Sequence, residues 1–204
     1  VMAKSPRPGL AKTRLVPALG ADGAARLAAR MLQHALHQAV ASGAGPVVLS
    51  AAPDADDGLL RAAAAAAGAA IVPQGDGDLG ARMARAAAAA HAQGHAVLIL
   101  GTDAPALDAA MLRAAAAALH AGNDVVLVPA RDGGYALIGL ARPLPQLFEG
   151  IAWSTPQVLA QTQAAAAACG AHVALLPPVY DIDEPADETA TSDKLAAERK
   201  GIET

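Results

Sequence analysis

The sequence predicts an α/β protein folded as a three-layer α/β/α sandwich, with helices on both faces of a mostly parallel, mixed sheet. Three observations carry the prediction. Short apolar runs without polar alternation, among them Val97–Leu100 and Val125–Val128, read as strands buried on both faces. Longer segments rich in alanine, the strongest helix former, stand between these runs. Aspartate precedes and glycine follows most of those segments, and these are residues that cap and close helices.

In chain order, Val1–Ala3 reads as a strand stub, followed by a loop rich in Pro and Gly as far as Gly20. Asp22 is placed to cap a helix whose apolar face includes Leu27, Met31, Leu36 and Val40, and Gly43 ends it. Pro46–Ala51 is a second strand; Asp54 or Asp56 opens the next helix and Gly68 closes it. Ala69–Pro73 is a third strand, Asp78 caps a helix running through Met83 to Gly94, and Val97–Leu100 is a fourth strand. Asp108 caps the following helix, Gly122 closes it, and Asp124–Ala130 is a fifth strand. The rhythm then changes. Arg131–Gly134 is a turn that leaves no room for a helix before the strand Tyr135–Leu140, so part of the sheet is expected to be antiparallel. Ser154, Thr155 and Pro156 begin a helix with proline near its first position, Gly170 ends it, and His172–Leu176 is a further strand. The acidic stretch Asp181–Asp187 leads into a short final helix.

The 204 residues are expected to form one domain, 1–204. Hydrophobic residues make up 54% but aromatics only 2%, so the core rests on aliphatic side chains. No apolar run approaches the roughly 20 residues of a membrane span. No leader pattern opens the chain, and the single cysteine, Cys169, cannot form an internal disulfide. A cytoplasmic protein is expected. The net charge of -4 argues against general nucleic-acid binding. Even so, six of the fifteen basic residues lie in the first thirty positions, while acids gather at Asp181–Glu188.

In an open α/β sheet, ligands bind beyond the carboxyl ends of the strands, and three unusual stretches fall there. The first is Gly101-Thr102-Asp103, directly after the fourth strand. Asp103 would serve as a helix cap, but Asp108 is better placed for that task, which leaves Asp103 for function. A carboxylate there can hold a divalent cation, since Mg²⁺ is commonly bound through one or two carboxylates plus phosphates and water. The second is Asp181-Ile182-Asp183. Strand alternation puts both aspartates on one face, where a cation shared with Asp103 would relieve their repulsion. Its plain reading is an acidic solvated loop with Asp183 or Glu184 capping a helix. The third is Ala3–Leu15, which presents Lys4, Gly9, Lys12 and Arg14. It lacks the GxxxxGK[ST] pattern, yet backbone amides and cations can surround phosphates there; alone, it reads as a solvated basic loop.

Two further stretches join them. In Gln74–Met83, Gly80 permits close backbone approach, and Arg82 sits in the first helical turn, against the dipole preference, which a bound phosphate would explain. Asp132, Gly133, Gly134 and Tyr135 form the turn before the sixth strand, and Trp153, Ser154 and Thr155 precede a helix. Scarce aromatics here suit a sugar or base platform, or simply fill core. The six histidines show no ligand spacing shared with cysteine, and no GxSxG is present, so hydrolase triads find no support.

Taken together, K-x-P-x-P-G-x-x-K-T-R-L, G-D-L-G-x-R-M, G-T-D-x-P-x-L, P-A-x-D-G-G-Y-x-L-I-G-L, W-S-T and D-I-D, in this order, resemble a bacterial family of GT-A-type glycosyltransferases, some of whose members are linked to arsenosugar biosynthesis. The chain is similar, more distantly, to 2-phospholactate guanylyltransferase and to the molybdenum-cofactor nucleotidyltransferases. The resemblance implies the Rossmann-like nucleotide-diphospho-sugar transferase fold. It implies metal carboxylates at Asp103 and Asp183, with Asp181 as a third candidate, and Mg²⁺ or Mn²⁺ as cofactor. Lys12 and Arg14 would be catalytic and, with Lys4, Gly9, Gly80 and Arg82, handle the phosphates. Asp132–Tyr135 and Trp153–Thr155 would face the sugar or a small-molecule acceptor.

One departure matters: sugar-transferring enzymes of this fold commonly carry D-x-D, whereas Gly101 here occupies the first acidic place. A single aspartate here is closer to the nucleotidyltransferase pattern, while the family resemblance makes glycosyl transfer from a nucleotide sugar the first expectation. Nucleotidyl transfer from an NTP, releasing pyrophosphate, is the second, and a nucleotide-binding module without turnover the third.

Overall fold

In the computed structural model, which describes residues 1–182, strands and helices alternate over most of the chain. β1 (Met2–Lys4), β2 (Val48–Ala52) and β3 (Ala70–Pro73) form a parallel ladder in the order β1-β2-β3. β4 (Val97–Leu100), β5 (Val125–Pro129), β6 (Tyr135–Leu140) and β7 (Val173–Leu175) form a second ladder in the order β4-β6-β5-β7. β6 runs antiparallel to both β4 and β5, and β7 runs parallel to β5, so the expected change of rhythm after the fifth strand is present.

Side-chain alternation explains the layers. On the second ladder Leu100, Val126, Val128 and Leu137 pack with Ala39, Leu112, Ala115 and Leu119 on one face. Ile99, Val125, Leu127, Ile138 and Leu140 turn the other way, onto Met83, Ala87, Phe148 and Ala166. Each apolar strand thus serves two faces, which is why its sequence does not alternate. The helices are α1 (Val16–Ser42), α2 (Gly58–Ala67), α3 (Leu79–His91), α4 (Ala109–His120) and α5 (Val158–Ala168). α1 and α2 cover the first ladder through Leu32, Leu36, Leu60 and Ala64, which meet Ala3, Leu49 and Ala51. Val1 packs against the cores of both ladders and Met2 against the α3 side of the second, so the start of the chain lies where the two cores meet.

Several boundaries differ from expectation. α1 begins at Val16 with a proline in its first turn, and its path breaks at Gly20, where φ is 70°. The left-handed glycine redirects the chain, so the cap expected at Asp22 is not needed. Val40 is 47% exposed; Leu32 takes the place expected for it on the buried face. α2 is capped by Asp57, not by Asp54 or Asp56. Asp54 instead accepts the Asp56 amide, and Asp56 pairs with Arg61 at the surface. α5 starts at Val158, because Ser154 adopts φ 63° and Thr155 bonds back to the Ala152 carbonyl. Asp78 and Asp108 cap α3 and α4 as expected, accepting the Ala81 and Met111 amides at 2.8 Å. The final helix expected after Asp187 lies outside the described residues, as do Asp183 and Glu184.

Candidate active site

The loop after β1 is held from beneath by one carboxylate. Asp57 Oδ1 accepts the Leu59 and Leu60 amides, and Oδ2 accepts the Ser5 hydroxyl at 2.8 Å and meets the Arg7 guanidinium at 2.6 Å. Burial works to raise the Asp57 pKa. The Ser5 hydroxyl, the Leu60 amide, the Arg7 charge and the Leu59 amide together outweigh it and hold the carboxyl below its ordinary value. Arg7 and Gly9 are exposed, Gly9 turning the chain at φ 79°, and Lys4 is exposed at the end of β1.

Past this turn the chain enters a left-handed conformation at Lys12, φ 50°, which is uncommon for a residue with a Cβ. It sends the Lys12 side chain inward, where it is 7% exposed. The ammonium lies 2.7 Å from Asp103 Oδ1 and 2.6 Å from the Ile182 carbonyl oxygen. Asp103 itself is 51% exposed. The costly buried charge at this strand end is therefore Lys12, with its cost offset by two close oxygens, and not the aspartate as the apolar run before it suggested.

The Gly101–Asp108 loop is fixed from behind by α1. His34 Nε2 is 3.0 Å from the Pro105 carbonyl oxygen, and Gln38 Oε1 accepts the Ala109 amide at 2.8 Å. From the other side the Ile182 amide donates to the Asp103 carbonyl at 2.9 Å. The Ile182 side chain is buried with Leu15, Leu27 and Met31. The two acidic motifs expected to share a site are thus joined through Ile182, main chain to main chain. Asp181 stands beside that junction. Asp183, expected to be the second metal carboxylate, lies outside the described residues.

Gln74, at the end of β3, is buried and donates from Nε2 to the Ala3 and Ser50 carbonyls, while Oε1 accepts from Arg82 at 3.3 Å. Arg82 also donates to the Gly77 carbonyl, and Arg85 to the Gln74 and Asp76 carbonyls. The loop's own carbonyls thus account for Arg82 in a first helical turn. Gly80 is required by packing: a Cβ there would stand 2.6 Å from both the Phe148 carbonyl oxygen and Trp153 Nε1. It lines a cleft of about 410 Å³ with Asp78, Phe148 and Glu149.

The Asp132–Gly134 turn and the Trp153–Thr155 segment, expected to face the acceptor, lock onto each other. The Leu159 amide donates to the Gly133 carbonyl, and Gly133, at φ 89°, has no room for a Cβ against Pro156. Asp132 is exposed and accepts the Gly134 amide at 2.9 Å; Ser154 is exposed. Tyr135 and Trp153 pack against the α3 side of the core. The Tyr135 hydroxyl is buried beside Thr162, and burial raises its pKa well above the usual phenol value. Neither hydroxyl has a hydrogen bond of good geometry among the described residues.

Four residues with notable contacts carry no clear mark in the sequence: Asp57, Gln74, and Arg131 with Tyr180, the Arg131 guanidinium lying 3.7 Å from the centre of the Tyr180 ring. Asp57 competes with two neighbouring aspartates, and Gln74 looks like an ordinary loop residue. Tyr180 had a signal, being a scarce aromatic beside Asp181-Ile182-Asp183, and Arg131 adjoins the turn already singled out. Among the described residues no group of three His, Cys, Asp or Glu is placed to hold a metal.

This arrangement is the Rossmann-like, GT-A-type fold of the nucleotide-diphospho-sugar transferase superfamily. Within it, residues 16–155 match the DUF2064 family, described as an uncharacterized protein conserved in bacteria, and the chain belongs to that family. A crystal structure from Desulfovibrio desulfuricans G20, provisionally described as a nucleotide-diphospho-sugar transferase, shares 31% identity and a TM-score of 0.81, over 90% of this chain and 80% of that one. CMP:2-keto-3-deoxy-manno-octonic acid synthetase complexed with CTP is similar in fold alone, with 13% identity and a TM-score of 0.56 over 82% of this chain and 88% of that one. No curated protein matches the chain by sequence. No helix among the described residues is long and apolar enough to cross a membrane.

Proposed function

We propose that the protein is a transferase acting on a nucleotide-activated substrate, and that the transferred group is a sugar passed from a nucleotide-diphospho-sugar to a small acceptor. The observation that carries this reading is the cluster at the carboxyl ends of β1 and β4. Lys12, Asp103 and Ile182 join the basic loop to both acidic motifs within 2.9 Å contacts. A cation and a carboxylate beside a glycine-containing turn suit the phosphates of a nucleotide and the charge that develops on a leaving diphosphate. The description attached to the Desulfovibrio relative supports the same class.

Asp103 fits Mg²⁺ or Mn²⁺ by its chemistry: a half-exposed carboxylate with one oxygen on Lys12, in a site where substrate phosphates and water would complete an oxygen shell. Asp183 and Asp181 are the proposed companions. When bound, such an ion supplies Lewis-acid stabilisation of phosphate charge. In this reading Lys12 neutralises the same charge and fixes Asp103, Arg14 adds a second cation, and the Asp57 anchor keeps the loop in register.

A second reading is nucleotidyl transfer with release of pyrophosphate, favoured by Gly101. A Cβ at Gly101 meets nothing within 4 Å, so the missing acid of D-x-D is not excluded by crowding. A thermal-shift panel of NDP-sugars and NTPs with and without Mg²⁺ tests the class, since a ligand at about 100 Kd stabilises by about 2.7 kcal/mol. Exchange of labelled pyrophosphate into NTP selects the second reading. Sugar-nucleotide turnover lost in Asp103→Ala supports the first, and no stabilisation by any nucleotide rejects both.

A further inference from the structure

Arg131 and Tyr180 form a built feature that neither the basic loop nor the acidic motifs use. The isolated bridge between Ala130 and Val179 and the Val179 amide's bond to the Pro129 carbonyl run the two segments side by side. The next residue on each segment therefore meets its counterpart: the Arg131 guanidinium lies 3.7 Å over the centre of the Tyr180 ring. Tyr180 is 54% exposed and Arg131 is exposed as well. The guanidinium carries no hydrogen bond or ion pair among the described residues, so its fork of N–H donors is open at the edge of the stack. A guanidinium held against a ring face is restrained in position, which favours bidentate binding of a phosphate or carboxylate.

The position matters as much as the chemistry. Tyr180 precedes Ile182 by two residues, so its Cα stands at most about 7 Å from that of the residue whose carbonyl receives Lys12. Asp103, after β4, meets Lys12 of the basic loop after β1, and Arg131 follows β5 in the same ladder as β4, in the order β4-β6-β5. If the basic loop takes the nucleotide's phosphates, Arg131 faces the other reactant. We infer that Arg131, held over the Tyr180 ring, is the acceptor-recognition residue of this site, and that the acceptor carries an oxyanion, either a phosphate or a carboxylate. This rests on the transferase reading above and deepens it.

The test is calorimetric titration of the full chain with 3-phosphoglycerate, which carries both groups. Inorganic phosphate and acetate arms separate phosphate from carboxylate. Each titration is run with and without the nucleotide that stabilises the protein most. In Arg131→Gln, affinity for the oxyanion probe should fall about tenfold or more, the worth of a charge-assisted hydrogen-bonded pair. Arg131→Lys keeps the charge without the fork and should recover only part of it. Tyr180→Leu should weaken binding severalfold, whereas Tyr180→Phe keeps the ring and the affinity. Nucleotide affinity should change in none of them. Unchanged probe affinity in Arg131→Gln, a parallel loss of nucleotide affinity, or a wild-type protein that binds none of the three probes each overturns the assignment. Absence of nucleotide binding in the wild type would instead reject the transferase reading, while probe binding that depends on Arg131 would still uphold the oxyanion site.

Discussion

The Lys12 ammonium sits 2.7 Å from Asp103 Oδ1, yet the two side chains are unequally placed, Lys12 being 7% exposed and Asp103 51%. The asymmetry predicts an asymmetric response to mutation. Asp103→Ala deprives a buried cation of one of its oxygens, whereas Lys12→Met removes that cation and leaves a carboxylate that water already reaches and a neutral Ile182 carbonyl without the ammonium donor. We expect Asp103→Ala to cost about 2 kcal/mol, discounted from a fully buried pair by the exposure of the aspartate, and Lys12→Met to cost less. The double variant should be more stable than the sum of the two losses implies. Urea denaturation of the four proteins measures the coupling. Equal costs for the two single variants would contradict the assignment of Lys12 as the desolvated partner.

Asp57 anchors the loop that Lys12 terminates. Asp57→Ala removes a helix cap worth about 1 kcal/mol, and leaves the buried Ser5 hydroxyl without its acceptor, for about 1 kcal/mol or more in addition. The melting temperature should fall by roughly 4 to 8 °C, at about 2 to 4 °C per kcal/mol for a chain of this size. The folded-state pKa of Asp57 is depressed, so its contribution is complete above the unfolded value of about 3.9 and is lost as pH falls from there through the folded value. Acid unfolding of wild type and Asp57→Asn followed by circular dichroism should converge as pH drops below about 4. Curves that stay parallel to lower pH would place the anchor elsewhere.

Much of this site was legible because strand ends in an α/β sheet collect ligand-binding loops, and Asp108 made Asp103 redundant as a cap. The resemblance then aligned the basic loop with the acidic motifs. What was not legible depends on contacts between residues far apart in the chain. Asp54, Asp56 and Asp57 are equivalent to a capping rule, and only Ser5 and Arg7, about fifty residues earlier, decide among them. The contacts of Arg82 with the Gly77 carbonyl and Gln74 Oε1 were likewise not legible, because nothing next to a helix start marks them. The burial of Lys12 follows from a left-handed backbone at a residue whose type gives no hint of it.

Gly139 marks the tightest point of the second ladder. It stands opposite both Leu98 and Val126, and a Cβ there would lie 2.6 Å from Leu98 Cδ2 and 2.5 Å from Val126 Cγ1. Gly139→Ala should destabilise by about 1 to 3 kcal/mol through overpacking. Gly101→Ala, in open space at the same end of the sheet as Asp103, should stay within about 0.5 kcal/mol of wild type. Denaturant midpoints compare the two. A stable Gly139→Ala protein would mean that β6 shifts easily between its neighbours.

Gln74 ties three strands' ends to α3, and its amide separates two roles that a deletion would confuse. Nε2 supplies the donor for the Ala3 and Ser50 carbonyls, and Oε1 receives Arg82. Gln74→Glu keeps the shape and the acceptor but loses both donated bonds and faces two carbonyl oxygens with a buried carboxylate. Gln74→Leu loses everything polar. Losing each of the two donated bonds costs about 0.5 to 1.5 kcal/mol, so both variants should be destabilised. Gln74→Glu should lose further stability as pH rises through the elevated pKa that burial imposes on its carboxyl, because the folded protein then has to carry the charge. Gln74→Leu should show no such trend beyond that of wild type. Chemical denaturation at several pH values between about 5 and 8, a range in which an unfolded glutamate is already ionised, distinguishes them. A flat pH response in Gln74→Glu would mean that Arg82, already 3.3 Å from Oε1, is enough to keep the new carboxylate ionised.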